Sequence, residues 1–416
     1  MINYNTLGHN LKRGIINFCG KLGKGFKKPV QKFITDMIYG ILASKSSYLT
    51  EMARELKEDI ALDKTVERLS RNLMNMDNTE ELIENYFNSI KSNFDDQTVL
   101  ILDDSDISKS YSSKLEGLCR VRDGSTGEIK DGYWFAGASA LTANHKQPIP
   151  VYSRIYSTVE EDYVSNNAET IKSLEFLSKH FSKDNIRALD RGYDAGYIFD
   201  YFIPKDENFI VRMDGKRNII HDGKTILMSK LVSKIEATHT LKFESKDGKK
   251  VKCKISITPV FLPKHPDKPL NLVICRGFGK EPLMLLTSLD SDDPRLCVTV
   301  TKVYLMRWRI EEYYRFKKQD FGFEKFLVRS LNSIRNLDLL ISMAIGYIGA
   351  LSEKVDDSVE VMHIINASKR LYGLATFTFY ALSDGIKAIF SKSYVGIKSF
   401  FIKPEPSLQI SLFDCL

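Results

Sequence analysis

Tyr304-Leu305-Met306-Arg307-Trp308-Arg309-Ile310-Glu311-Glu312-Tyr313-Tyr314-Arg315-Phe316-Lys317-Lys318 reads as one helix with a charged stripe. At about 100° per residue, Arg307 falls at roughly 300° from Tyr304, Glu311 at roughly 340° and Lys318 at roughly 320°. One carboxylate, two cations and a phenol therefore share an arc of about 60°. Such a face can hold a metal through Glu311 while Arg307, Lys318 and the Tyr304 hydroxyl grip phosphate oxygens. The competing reading is a solvated face laced with ion pairs. Leu305, Met306, Trp308, Ile310, Tyr313 and Phe316 spread over the rest of the circumference, the pattern of a helix buried on most sides. A charged stripe on such a helix needs partners within the protein or from a ligand. Asp292, Asp293 and Pro294 read as its start and Gly322 as its stop.

Two strand-end aspartates lie upstream. Thr98-Val99-Leu100-Ile101-Leu102 is a short apolar, partly β-branched run that ends at Asp103-Asp104-Ser105-Asp106. Ile186-Arg187-Ala188-Leu189 ends in the same way at Asp190-Arg191-Gly192-Tyr193-Asp194. Strand alternation lets only one of the adjacent pair Asp103 and Asp104 face a common site. Three carboxylates in one pocket repel unless a cation neutralises them, and hard oxygen donors suit Mg²⁺ or Mn²⁺ rather than zinc. An EF-hand around Asp104 and Asp106 lacks the required glycine and distal glutamate.

Tyr304, Arg307, Glu311 and Lys318, separated by two, three and six residues, resemble the Y-R-E-K signature of DDE transposases of the IS-four family, encoded by bacterial insertion sequences. Asp190 to Asp194 is similar to that family's D-R-x-x-D stretch, and Asp103-Asp104-Ser105-Asp106-Ile107 to its first-aspartate segment. The resemblance spans roughly residues 90 to 350. It implies that Asp103, Asp190 and Glu311 are catalytic and hold two Mg²⁺ or Mn²⁺ ions, while Tyr304, Arg307 and Lys318 bind DNA phosphates. Asp103 is assigned as the first ligand, with Asp104 as the alternative. Two ions about 4 Å apart serve in-line phosphoryl displacement, so one site can cleave a strand and join a 3′ hydroxyl to a new phosphodiester. The implied partners are double-stranded DNA, as terminal inverted repeats and as target, and a second copy of the chain in a synaptic homodimer. No membrane is implied, and the location is cytoplasmic, with the nucleoid. Two alternatives stand beside this reading: a metal-dependent nuclease of the same fold that does not join strands, and a non-catalytic DNA-binding relative. Family members that form a DNA hairpin use a tryptophan in an inserted domain. Here the two tryptophans, Trp134 and Trp308, lie elsewhere, so the resemblance leaves the hairpin step open. Phe243, Phe261 and Phe278 are the candidate wedges.

The expected fold is α/β: an RNase H-like core, a mixed sheet flanked by helices, with an inserted β-rich domain and helical termini. Its expected boundaries are a helical DNA-binding domain at 1–92, the core at 93–213, the β insertion at 214–292, the core's second part at 293–352 and a helical region and tail at 353–416. Sixty basic against 53 acidic residues leave a net charge of +7. Its placement is uneven: Lys12, Arg13, Lys21, Lys24, Lys27, Lys28 and Lys32 precede Asp36 with no acidic residue among them. That stretch is expected to be a basic arm on a phosphate backbone, against the competing reading of a disordered basic tail. Thr65 to Leu73 is a candidate recognition helix, with Arg68, Arg71 and Asn72 on its polar side, or an ordinary amphipathic helix.

Strands are expected at 132–141 and 149–155, helices at 168–181 and 196–202, and a strand at 209–212. Four further β-type runs fall within 240–286, with Pro263, Pro266 and Pro269 marking a stiff loop. Leu339 to Leu351 is apolar but too short to span a membrane, and no signal peptide is expected before the basic stretch. Pro404 and Pro406 read as the start of a tail. Six cysteines without a Cys-x-x-Cys pair argue against structural zinc and for a reducing compartment. Arg276-Gly277-Phe278-Gly279-Lys280 lacks the rest of a phosphate loop.

Overall fold

The computed structural model describes residues 4–110, 112, 114–124, 126–244, 250–290, 293, 295–369, 377–393 and 395–400. The proline-marked tail lies outside them, as do two of the three residues read as the start of the charged helix.

Five helices come first: α1 (Tyr4–Leu22), α2 (Lys28–Ser44), α3 (Leu49–Leu56), α4 (Leu62–Met74) and α5 (Thr79–Ile90). The basic stretch is therefore no arm. Leu7, Leu11, Ile15, Phe18 and Leu22 recur at helical spacing and bury one face of α1, which orders the segment whatever its charge. Lys12 is itself buried, its amine donating to the Ser393 hydroxyl (2.7 Å) and lying near the Phe390 ring. Burial and the Lys57 charge push that amine down to about 8. On α4, Arg68 is tied down by Asp36 and Glu58, both at 2.7 Å, so it is committed within the protein.

A mixed sheet follows, built from β1 (Val99–Ser108), β2 (Cys119–Arg122), β3 (Ile129–Leu141), β4 (Pro148–Tyr156), α6 (Asn166–His180), β5 (Ile186–Leu189), α7 (Gly196–Lys205) and β6 (Phe209–Met213). β1, β5 and β6 run parallel, and β3 runs antiparallel to β1 on the other side. The outer edge of β3 is shared by β2 and then β4. Leu100, Ile101, Leu102, Ala188, Leu189, Ile210 and Val211 are fully or almost fully buried, as expected of parallel strands covered on both faces.

Residues 214–292 hold β7 (Asn218–His221), β8 (Lys224–Leu227), the short helix α8 (Met228–Val232), β9 (His239–Glu244), β10 (Lys250–Leu262), β11 (His265–Arg276) and β12 (Leu283–Thr287). These strands continue the same sheet: β12 pairs with β6, and the order runs β2-β3-β1-β5-β6-β12-β11-β10-β7-β8. The proline-marked loop is corrected to a hairpin. β10 ends at Leu262 and β11 starts at His265, with Pro266 and Pro269 in the part of β11 that lies beyond its pairing with β12. A proline is tolerated there because one side of the strand needs no donor.

The chain returns through α9 (Leu296–Met306), α10 (Trp308–Arg315), α11 (Leu331–Ser352), α12 (Val359–Ala367) and α13 (Phe379–Ser391). α11 is long and apolar enough to cross a membrane, yet 83% of its apolar window is buried in protein. It begins earlier than its apolar run suggests, at a Ser330 cap whose hydroxyl accepts from the Ser333 amide.

Candidate catalytic site

Asp103 and Asp190 meet because of strand register. Val99, Leu100 and Ile101 of β1 pair with Ile186, Arg187 and Ala188 of β5, so two residues further on Asp103 comes opposite Asp190. Asp190 directly follows the carboxyl end of β5, where open α/β sheets place their ligands. Asp103, expected at a strand end, lies midway along β1, just past the part of it that pairs with β5, because β1 runs on to Ser108 along β3. Alternation sends the neighbouring Asp104 to the other face, where its Oδ2 accepts from the Thr170 hydroxyl of α6 (3.5 Å).

The charged helix delivers the remaining groups, though it is not regular. At Arg307 it tightens: the Arg307 amide donates to the Tyr304 carbonyl and the Ile310 amide to the Arg307 carbonyl, both three residues apart. At Phe316–Asp320 it widens into a π turn. The guanidinium of Arg307, 5% exposed, becomes the hub. Its Nη2 lies 2.9 Å from Glu311 Oε1 and 3.6 Å from Asp190 Oδ2, and its Nη1 lies 3.9 Å from Asp103 Oδ2. The three carboxylates are 25%, 33% and 47% exposed in the order Asp103, Asp190, Glu311, so the cluster opens to solvent on the Glu311 side.

The Tyr304 hydroxyl donates to Asp190 Oδ1 at 3.0 Å. Lys318 stands apart from this trio: its amine donates to the Asp106 carbonyl (2.9 Å) and Ser105 hydroxyl (3.3 Å) and pairs with Glu324 (2.9 Å). The shared arc expected from α-helical spacing thus holds for Tyr304, Arg307 and Glu311. The π turn, with more residues per turn, carries Lys318 along β1 instead.

Burial pushes the Asp103 carboxyl up to about 7; Arg307 pulls it down, and Asp104, Asp190 and Glu311 push it further up. Asp190 is also lifted by burial but ends below the usual carboxylate range, because Arg307, the Arg191 amide, the Tyr304 hydroxyl and Arg212 all favour its ionised form. Burial raises Tyr304 to about 12, with Asp190 adding to it. One carboxyl is thus poised to hold a proton while its neighbour is charged. Among the described residues no three Asp, Glu, His or Cys side chains are gathered tightly enough to hold a metal ion. The donor set around Arg307 is all carboxylate oxygen, which fits a hard divalent cation in chemistry.

Two participants were not anticipated. Arg212, on β6, lies 3.7 Å from Asp190 Oδ1. The Leu189–Val211 pairing puts it one step beyond, beside Asp190, so a cation at the end of the next parallel strand was the available signal. Tyr314 donates its hydroxyl to the Asp103 carbonyl at 2.5 Å. Asp194, the second acid of the D-R-x-x-D stretch, is a knot: it accepts from Arg217 (2.9 Å) and the Asp214 amide (3.0 Å).

No family model matches this chain, and no curated protein matches it. Among solved structures it is similar to a cryo-EM structure of the piggyBac transposase synaptic complex with hairpin DNA, at 11% identity, covering 92% of this chain and 75% of that one, with a TM-score of 0.44. At that score the likeness does not establish a shared fold.

Proposed function

We propose that this chain is a DDE transposase, an enzyme that cuts DNA at transposon ends and joins the freed ends to target DNA, built on an RNase H-like core of the IS-four type. The observation that carries the reading is the gathering of Asp103, Asp190 and Glu311, 87 and 121 residues apart in sequence, within 4 Å of one guanidinium. One guanidinium offsets only part of the charge of three carboxylates, so the cluster has room for a further cation, and burial with neighbouring acids holds the Asp103 carboxyl up at about 7. Asp103, Asp190 and Glu311 would hold Mg²⁺ or Mn²⁺, which when bound polarises the phosphoryl group and lowers the pKa of an attacking oxygen. Arg307 supplies positive charge where the pentavalent phosphate develops negative charge, and the Tyr304 hydroxyl fixes the rotamer of Asp190. In the first step water attacks phosphorus and the P–O3′ bond breaks. In the second the freed 3′ hydroxyl attacks a target phosphodiester, the target P–O3′ bond breaks as the new P–O bond forms, and the departing target 3′ oxygen takes up a proton to replace the one the attacking hydroxyl gives to solvent. In this proposal the helices of 1–92 bind transposon ends, 214–292 is the family's β insertion, and two copies act together.

The test uses a duplex taken from the DNA flanking the gene, with a target plasmid and Mg²⁺. Cleavage and joining are expected from the native protein, and loss of both by at least about 10³-fold in Asp103→Asn, Asp190→Asn and Glu311→Gln. Full activity in any one of the three variants contradicts the assignment.

A further inference from the structure

Immediately before Lys318 sits a lysine that points the opposite way. Lys317 is 3% exposed, and its amine lies 2.5 Å from Asp338 Oδ1 on α11, a carboxylate 1% exposed. The same amine donates to the Ser342 hydroxyl (2.9 Å) and Ser153 hydroxyl of β4 (3.2 Å), and the Ser153 hydroxyl donates in turn to Asp338. The rings of Phe135 and Phe323 lie 4.6 and 4.8 Å from the amine. A buried ion pair of this kind is weak evidence of stability, because desolvating two charges offsets their attraction. What it does fix is direction, and it does so inside the π turn Phe316–Asp320.

That turn is held from other sides too. Asp320 pairs with Lys45 (2.8 Å), which caps the end of α2, and accepts from the Ser383 hydroxyl of α13 (2.8 Å). The Ser47 hydroxyl donates to the Gly322 carbonyl (2.7 Å). The Phe316 ring is met edge-on by Phe321, Phe379 and Tyr380. The sequence Phe-Lys-Lys-Gln-Asp contains no proline or glycine that would widen a helix by itself, so the extra residue per turn is imposed by these partners. Rotation of the turn back to α geometry would swing Lys318 away from Ser105 and Asp106, at the end of the strand that carries Asp103.

We propose that Lys317 and Asp338 are positioning residues: their buried pair locks the π turn that aims Lys318 at the end of β1, and so sets the distance between this cation and the carboxylate cluster. The role of Lys318 in this statement rests on the transposase reading above. The lock itself does not.

Removing one partner strands a buried charge and can unfold the chain, so the deciding variant is Lys317→Met with Asp338→Leu, which replaces the pair by apolar groups of similar size. Amide hydrogen exchange over Phe316–Asp320 and cleavage of the labelled flanking duplex in Mg²⁺ are measured on this double variant, the native protein and Lys318→Ala. The double variant is expected to melt cooperatively near the native temperature, to exchange faster over Phe316–Asp320 alone, and to lose about 10- to 100-fold in kcat with KM unchanged, matching Lys318→Ala. Native exchange in that segment overturns the proposal, and so does a native kcat in a protein that cleaves. If the native protein cuts no flanking duplex, the transposase reading fails while the exchange comparison still decides whether the pair locks the turn.

Discussion

The amine of Lys109 lies 3.6 Å from the Phe326 ring centroid and donates to the carbonyls of Glu324 (2.5 Å) and Phe326 (3.2 Å). It pins the end of β1 to the segment whose Glu324 pairs with Lys318. Burial pushes this ammonium down from 10.5 to about 8, with the Glu324 charge pulling it partly back. Between those two values the unfolded chain binds more protons at this position than the folded one, so the contribution to stability rises with pH. The penalty for burying the charge is fully present below about pH 8 and is relieved as pH climbs towards 10.5. Urea unfolding of the native protein and Lys109→Met at pH 7.5 and 9.5 is expected to show the native protein gaining on the variant at the higher pH. A constant difference between them contradicts the assignment.

Asp103 pairs across the β1–β3 ladder with Gly137, and the glycine is a matter of space. A Cβ there would lie 2.3 Å from the Tyr314 hydroxyl and 2.8 Å from the Phe135 ring. The absent side chain is what lets Tyr314, on α10, reach the Asp103 carbonyl and tie the helix to the strand. Gly137→Ala is expected to cost about 1–3 kcal/mol by overpacking, read as a lowered denaturation midpoint, and to slow DNA cleavage. An unchanged midpoint would show that the contact is slack.

The elements themselves were legible to differing degrees. β1, β5 and β6 announce themselves as buried apolar runs, and α6 and α7 as periodic segments between them. The β7–β8 hairpin turns at Asp222-Gly223, both at positive φ, a dipeptide that signals such a turn although the flanking four-residue strands form no apolar run. β2 is only four residues with alternating charges, too short and polar to stand out. α1 is helical because the four-residue recurrence of Leu7, Leu11 and Ile15 buries one face, a signal that outweighs the cations along the segment. The π turn was illegible in principle, since its cause lies in Asp338, Lys45 and Ser383, none of them near it in sequence.

Across the whole chain, the sheet makes the site possible. Strand β12 hydrogen-bonds to β6, and α9 packs Cys297, Val300 and Tyr304 against Ile210, Leu241, Cys253, Val273, Cys275, Leu283 and Leu285 in a second, smaller core. Tyr304 is thereby anchored on strands of 214–292 while its hydroxyl reaches Asp190, just past the end of β5. The β-rich segment therefore shapes the site as well as widening the sheet. The described cysteines Cys19, Cys119, Cys253, Cys275 and Cys297 are all buried, where their side chains pack as small apolar groups. Sequence spacing identified which acids to follow, but their convergence depends on β-strand register and on helix irregularities that no local pattern encodes.

Whether Asp103, Asp190 and Glu311 together hold divalent metal is decided by anomalous diffraction from crystals of the protein soaked in Mn²⁺. Manganese peaks are expected between those three carboxylates, with Arg307 displaced from between them, and the peaks are expected to vanish in Asp190→Asn. Manganese bound at Asp104, or anywhere remote from the three acids while their cluster keeps its guanidinium and takes no ion, would contradict it.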